Sequence, residues 1–124
     1  MGLSVLGRNN LLNCGIRLQT PTISITHAAL FTADPDGTLG TSYEVTGGTP
    51  AYSRETIAFN AASGGQITHS SQPAFDVPPG TTVTHVGFFS ADTGGTYFGM
   101  ASVTSENFGN QGTYTLTATT ISLT

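Results

Sequence analysis

Residues 25–59 have the sequence ITHAALFTADPDGTLGTSYEVTGGTPAYSRETIAF. Apolar and β-branched residues near its ends predict two strands, and the threonine- and glycine-rich middle predicts a long loop between them. Residues 77–99, VPPGTTVTHVGFFSADTGGTYFG, repeat the pattern with a Pro-Gly turn, a strand, an ADTGG turn and another strand. Together the two blocks predict a chain built mainly from short β-strands.

Turn signals divide the rest of the chain into further strands. The predicted strands cover residues 22–31, 52–59, 66–70, 74–77, 82–90, 96–103 and 114–123. Apolar residues on both faces of 82–90 are typical of a central strand. The apolar positions of 114–123 shift by one residue, which predicts a β-bulge near Thr119 and Thr120. This pattern predicts an all-β fold, an antiparallel β-sandwich of jelly-roll type, as one domain over residues 21–124.

An N-terminal segment, residues 1–20, precedes the predicted sandwich. Residues 3–14 are the one helix candidate, and Gly15 is placed to cap its C-terminus. The apolar side of this helix would comprise Leu3, Leu6, Leu11 and Cys14. The helix could cover an open end of the sandwich, or it could be an arm that docks on a neighbouring subunit.

The chain is unusually poor in charge. Its 124 residues are 8% charged, and three arginines stand against seven carboxylates, with no lysine. Nucleic-acid binding needs clustered basic residues, and so does binding to an anionic membrane surface, so neither partner is expected. The polar surface must be mainly threonine, other uncharged side chains and backbone. Such a surface fits either a protein covered in an assembly or a stable extracellular-type domain.

No residue pattern predicts catalysis, a metal site or a cofactor. The histidines His27, His69 and His85 lack the spacing of zinc ligands. The Asp34-Pro35-Asp36-Gly37 sequence suits a turn better than a calcium loop, because the downstream carboxylates are missing. Arg54 and Glu55 are adjacent, so on a strand they would face opposite sides. We therefore expect no enzyme activity and no cofactor.

Interaction surfaces are the remaining functional candidates. The loop of residues 34–50 is long for a hairpin, and long loops are more often functional. Tyr43 and Phe108 lie in the least regular segments, and aromatic residues often anchor interfaces. Leu3, Leu6 and Leu11 of the N-terminal segment join them as interface candidates. The two turns at Thr46-Gly47-Gly48 and Thr93-Gly94-Gly95 are interpreted as independent chain reversals.

The segments TADPDGTLGTSYEVTGGTPAYSRETIAFNAASGG and VPPGTTVTHVGFFSADTGGTYFGMASV carry a family resemblance. They resemble small virion structural proteins of actinobacterial phages, which have been described as minor capsid, decoration or tail-fibre proteins. The resemblance implies a protein without catalytic residues that is located in the virion. The sequence MGLSVLGRNN lacks the pattern of a signal peptide, so we expect synthesis in the host cytoplasm.

Three function classes follow from these features. The main hypothesis is a minor capsid or decoration protein, a homotrimer on the capsid surface that binds and reinforces the major capsid protein. The alternative is a tail-fibre or tail-tip adhesin that binds the host surface. A small glycan-processing enzyme is the third class, and it would need facing carboxylates among residues such as Glu55, Asp76 and Glu106.

Overall fold

The computed structural model describes residues 2–18, 24–35, 40–64, 66–117 and 120–122, and for residues 2–3, 40–41 and 120–122 it describes the backbone alone. The elements are β1 (Gly2–Leu3), α1 (Val5–Gly15), β2 (His27–Phe31), a 3₁₀ turn (Gly40–Tyr43), β3 (Glu55–Thr56), β4 (Gln66–Thr68), β5 (Ala74–Val77), β6 (Thr81–Phe89), β7 (Tyr97–Phe108), β8 (Gly112–Thr115) and β9 (Thr120–Ser122). A five-stranded antiparallel sheet forms the larger layer of the fold, in the order β1-β7-β6-β2-β3. Two two-stranded sheets, β4-β9 and β5-β8, accompany it.

Strand β6 lies between β7 and β2, as its two apolar faces predicted. Each face of this part of the sheet is covered. On one face, Phe31 stacks on Phe89 with ring centroids 6.1 Å apart, and Phe31 lies directly over Gly87. A Cβ on Gly87 would stand 2.6 Å from the Phe31 ring, so the absence of a side chain is what lets the ring approach the strand this closely.

The main core lies on the opposite face, between the large sheet and the two small ones. The fully buried Phe75 and Val77 of β5 pack in one cluster with Val86 and Phe88 of β6. Leu116, just after β8, belongs to the same cluster. Antiparallel layers enclosing a shared apolar core confirm the predicted all-β, sandwich-like class with one short N-terminal helix.

Helix α1 begins where Ser4 attaches the N-terminal segment to β7. The Ser4 Oγ accepts the Gly7 N–H at 3.0 Å and donates to the Tyr97 carbonyl at 2.8 Å. The predicted helix is confirmed, but its boundaries differ: Leu3 lies in β1 and pairs with Gly99 of β7. The predicted Gly15 cap is wrong, because Gly15 is the last helical residue and Ile16 caps the helix with right-handed backbone angles.

The closing segment differs most from its prediction. A single strand over 114–123 was expected, but the chain forms two strands that pair with different partners, β8 with β5 and β9 with β4. The apolar pattern changes phase because the partner changes. Of the predicted bulge positions, Thr119 lies outside the described residues and Thr120 opens β9. An irregular register occurs instead between β6 and β7, at Val83–His85.

The other predicted strand boundaries differ less from the observed ones. The strand predicted over 74–77 coincides with β5, whereas the one predicted over 52–59 keeps only β3. Strand β7 continues past the predicted end to Phe108. The strand predicted from residue 22 is described only from residue 24 and begins at His27.

Gly7 tests how closely α1 approaches the sheet. A Cβ there would stand 2.6 Å from the Phe98 carbonyl oxygen, which is backbone and cannot rotate away. We expect Gly7→Ala to lower the free energy of unfolding by about 1–3 kcal/mol, the usual cost of overpacking. Urea unfolding measures the global change, and hydrogen exchange of the helix amides detects local loosening.

Gly15→Ala is the matched control. It lies in the same helix with no atom within 4 Å of its added Cβ, and alanine favours a helix by about 1 kcal/mol over glycine. We expect it to be neutral or stabilising. Equal stability and equal amide protection of the two variants would contradict a tight contact between α1 and β7.

Candidate functional site

The Arg54 side chain joins two loops that were predicted to be independent chain reversals. Its Nε and Nη2 atoms each donate to one carboxylate oxygen of Glu44 at 2.9 Å, a bidentate pair. Its Nη1 atom donates to the carbonyls of Ala91 at 3.1 Å and Gly94 at 2.8 Å. One guanidinium therefore fixes the loop before β3 against the turn between β6 and β7.

Tyr52 and Phe89 complete the surroundings of this ion pair. The Tyr52 hydroxyl donates to Glu44 Oε2 at 3.0 Å and accepts the Leu30 N–H at 3.0 Å, which attaches the pair to β2. The Arg54 guanidinium lies 3.6 Å from the Phe89 ring centroid, a cation–π contact. Both charged side chains are largely buried, at 10% and 18% exposure for Arg54 and Glu44.

Proton affinities in this cluster follow from burial and charge. Burial, together with the neighbouring Glu44 charge, raises the pKa of Tyr52 well above its ordinary value. Hydrogen bonding to Glu44 raises the pKa of Arg54, against an opposing effect of burial. The hydroxyl of Tyr52 therefore stays protonated and acts here as a donor, which makes it a structural group.

Backbone pairing places Glu44 at this position. After the 3₁₀ turn the chain returns alongside β2, where the Thr32 N–H donates to the Tyr43 carbonyl at 3.1 Å and Val45 N–H to Leu30 carbonyl at 3.0 Å. Because side chains alternate along an extended segment, Val45 points into the core and Glu44 points to the other side, toward Arg54.

Glycines shape the two loops around Arg54. Gly47 and Gly48 have φ values of 89° and 98°, and Gly94 and Gly95 have values of 61° and 74°. These left-handed conformations favour glycine, as the turn prediction required. At Gly48 space is also limiting, since an added Cβ would stand 2.7 Å from the Gln111 Oε1 atom.

Gln111 attaches the first loop to the turn before β8. Its Oε1 accepts the Thr49 N–H at 3.2 Å and its Nε2 donates to the Pro50 carbonyl at 3.2 Å. The Thr49–Pro50 peptide bond is cis. Residues 44–54 are thus hydrogen-bonded to three other parts of the chain, at Leu30, at Ala91 and Gly94, and at Gln111.

A shallow cavity of about 390 Å³ lies between the two loops. We call its rim the loop surface, which comprises Glu44, Thr46, Arg54, Asp92 and Thr93. The hydroxyls of Thr46 and Thr93 and the carboxylate of Asp92 belong to exposed residues, whereas Glu44 and Arg54 bind each other. This arrangement can donate and accept hydrogen bonds to a polar ligand on a preorganised backbone.

The predicted interface residues do not form one site. Leu6, Leu11 and Tyr43 are exposed at 55%, 43% and 42%. Leu3 is described only through its backbone in β1. Phe108 was expected in an irregular segment, which is wrong: it ends β7 and is buried in the main core, so it is unsuited to contact a partner.

The three histidines of the sequence analysis make hydrogen bonds within the fold. His27 and His85 each bond through Nδ1 to the neighbouring threonine at 2.8 Å, and His69 Nδ1 to the Ser71 carbonyl at 2.5 Å. Within the described ranges, no three histidine, cysteine or carboxylate side chains come close enough together to hold a metal ion. None of the helical segments in that part of the chain is long and apolar enough to span a bilayer.

Sequence reasoning missed the Arg54–Glu44 pair because it compared Arg54 only with its neighbour Glu55. The available signal was composition, since Arg54 is the one arginine outside the N-terminal segment and the chain has no lysine. In a β domain with so few charges, a single arginine near the end of a glycine-rich loop is a candidate for a buried pair.

The fold and the loop surface define a small antiparallel β domain with a short N-terminal helix and hydrogen-bonded polar loops. Residues 2–124 match the family described as Podophage GP4 fiber I protein gp80. Because the match covers nearly the whole chain, the protein belongs to this family and is a bacteriophage structural protein associated with the virion. No curated protein matches the chain.

Arg54→Lys tests the bidentate contact. Lysine keeps the charge but cannot bind both Glu44 oxygens and two carbonyls in one plane, so buried acceptors lose their donors. We expect the free energy of unfolding to fall by about 1–3 kcal/mol in chemical denaturation. Arg17→Lys is the control, because Arg17 is exposed and its hydrogen bond to Asn13 is a long contact of 3.4 Å at the surface. Equal effects of both substitutions would rule out a structural role for the pair.

Glu55 gives the fold a pH dependence. Burial, and then the nearby Asp76 charge, raise the pKa of Glu55 above its ordinary value, while His27 acts in the opposite direction. The folded state therefore binds this proton more tightly than the unfolded state, and its stabilising effect is lost as the pH rises from the ordinary Glu value through the raised one.

Glu55→Gln should accordingly be more stable than the unsubstituted chain at neutral pH, with the difference shrinking as the pH falls through the raised pKa toward the ordinary Glu value. Thermal unfolding across the pH range measures this, with Glu106→Gln at an exposed position of β7 as the control. A stability difference that stays constant with pH would disprove the assignment.

Proposed function

We propose that this chain forms part of a virion fibre and that its loop surface contacts the surface of the bacterial host. The family match over residues 2–124 is the observation that carries the proposal. The loop surface supports it, because loops held in one conformation lose little entropy when a ligand binds. Arg54 supplies that rigidity by joining the loops before β3 and after β6.

A polar glycan is the class of ligand that this surface fits. Thr46, Asp92 and Thr93 offer exposed hydroxyl and carboxylate groups, and the cavity between them is shallow and open. The chain contains no tryptophan, so recognition would depend on hydrogen bonds more than on aromatic stacking. The proposal involves binding without a catalytic step, since Glu44 is already engaged by Arg54 and Tyr52.

Capsid decoration is the second candidate. In it, a homotrimer would sit on the capsid surface and reinforce the major capsid protein, and the sparsely charged, threonine-rich surface would be covered in that assembly. The family description favours the fibre alternative over this one. Neither candidate involves nucleic acid, a membrane or a cofactor.

Separation of virion heads from tails and fibres decides between the two candidates. The copies of this chain in each fraction can be counted by quantitative mass spectrometry. A location in fibres supports the proposal, whereas many copies on heads stripped of all fibres would replace it with capsid decoration.

Thr93→Glu tests the loop surface itself. The substitution adds bulk and charge at an exposed turn beside Asp92, and we expect binding of the purified chain to host cells to fall about tenfold or more. Thr113→Glu is the matched control, because Thr113 is an exposed threonine on β8 outside the loop surface. Equal binding by both variants would exclude this surface as the receptor-binding site.

A further inference from the structure

Strand β7 is paired along one edge over its whole length, but along its outer edge only near its start. On the inner edge, β6 pairs with residues from Tyr97 to Phe108. On the outer edge, β1 pairs with Gly99 and Met100. Within the part of the chain that the structure describes, no further strand pairs with the outer edge. The N–H and C=O groups of such an edge can bond to another strand.

Strand β8 follows β7 but leaves this edge open. Residues 109–111 alone separate the two strands, and consecutive antiparallel strands with so short a connection usually pair. Strand β8 pairs instead with β5. Between the pairs Glu106–Val83 and Ser102–His85, four steps along β7 match two steps along β6. A bulge of this kind bends its strand, which lets β7 diverge from β8.

A groove of about 480 Å³ lies between the diverging strands. We call it the β7–β8 groove, and residues 102–106 and 114–117 line it. Tyr114 and Leu116 are buried in the main core beneath it. The side chains exposed in the groove are Ser102, Thr104, Ser105, Glu106, Thr115 and Thr117. Because most of these side chains are short, the main chain of both strands can be reached from the groove.

The main chain of β7 directs hydrogen-bonding groups into this groove. The Ser4 N–H donates to the Phe98 carbonyl at 2.6 Å, so the backbone groups of Phe98 point to the outer edge. Backbone direction alternates along an antiparallel strand, so those of Ser102 point the same way. The bulge adds two residues, an even number, and therefore leaves Glu106 with the same direction.

Strand β8 presents its main chain in the same manner. The Leu116 N–H donates to the Pro73 carbonyl at 2.9 Å, so the backbone groups of Leu116 point toward β5. By alternation, those of Thr115 and Thr117 point to the opposite edge, and both residues line the groove. The groove is thus bordered on two sides by main-chain donors and acceptors that face away from the paired strands.

An extended polypeptide is the ligand that matches such borders, because it repeats N–H and C=O groups at the spacing of a strand. Strand β1 already occupies the same edge as an antiparallel strand, with Gly2 opposite Met100. Residues 102–106 continue that edge over about 13 Å at strand spacing, enough to pair with a segment of four or five residues.

The bend and the charge of the groove define the segment further. Two copies of β7 would carry the same bulge, and two strands that are bent alike do not match along a common edge. A flexible segment can follow the bend. Glu106 is the one charged residue that lines the groove, so a neutral or basic segment is favoured.

We propose that the β7–β8 groove binds an extended, neutral or basic segment of another virion protein. The segment adds to β7 as an antiparallel strand and continues the line of β1. The inference does not depend on the proposed host-binding function, since it concerns contacts within the virus particle.

Hydrogen exchange of the chain in purified virions, compared with the purified chain alone, tests this pairing. We expect the amides of Ser102, Glu106 and Thr115 to exchange at least about tenfold more slowly in virions. The amides of Ala101 and Asn107 should be unchanged, because their backbone groups point to β6 in both samples. Mass spectrometry with residue-level fragmentation resolves this alternation, which coverage by a loosely packed surface would not produce.

Thr115→Trp tests the groove by filling it. We expect virions to retain at least about tenfold fewer copies of this variant, counted by quantitative mass spectrometry. Thr113→Trp is the matched control, because Thr113 is an exposed threonine of the same strand that does not line the groove. Circular dichroism verifies that both variants keep the fold, and the exchange measurement uses the unsubstituted chain, so it stands even if one variant fails to fold.

Three outcomes would overturn the proposal. Equal exchange in virions and in the purified chain would show that the edge of β7 stays open in the particle. Protection of Ser102 and Glu106 that rises with the concentration of the purified chain would identify a second copy as the occupant. Equal loss of both tryptophan variants from virions would place the contact outside the groove.

Discussion

The Arg54–Glu44 ion pair joins the loop before β3 to the turn between β6 and β7. A chain with so few charges has one buried pair among its described residues, and it lies where three parts of the fold meet. Breaking such a pair leaves a desolvated charge, which costs far more than an exposed pair contributes. The loops are therefore held by an interaction that resists partial opening, and the apolar sheet beneath them is shielded by the Arg54 guanidinium over Phe89.

Local sequence patterns correctly predicted the strands whose burial or boundaries are marked by nearby residues. Strand β6 is apolar on both faces and proved central, and β5 is delimited by Pro73 and Pro78, so its bounds were correct. The closing segment was mispredicted because pairing partners are chosen over long distances. No local pattern shows that β8 pairs with β5 while β9 pairs with β4. A one-residue change of phase is the same signal whether a strand bulges or changes partner.

The sequence predicted the two glycine turns of the candidate site, but it did not predict the contacts that join them. The glycines at 47–48 and 94–95 have the positive φ values that tight turns require, so the turns themselves were foreseeable. Their connection was not, because it depends on Arg54 contacting a carboxylate ten residues away and carbonyls in another loop. Phe108 failed as an interface candidate for the same reason: the segment around it becomes regular only by pairing with β6.

The two candidate interaction surfaces are connected through a short series of contacts. Strand β7 lines the β7–β8 groove with its second half and begins at Tyr97, whose ring lies 5.5 Å from the Phe89 ring. The Phe89 ring in turn lies beneath the Arg54 guanidinium, which holds the loop surface in place. Buried aromatic packing and backbone hydrogen bonds are rigid over such distances. A protein that is held through the β7–β8 groove and binds through its loops would therefore present the loop surface in a fixed orientation, which an extended fibre needs if many weak contacts are to act together.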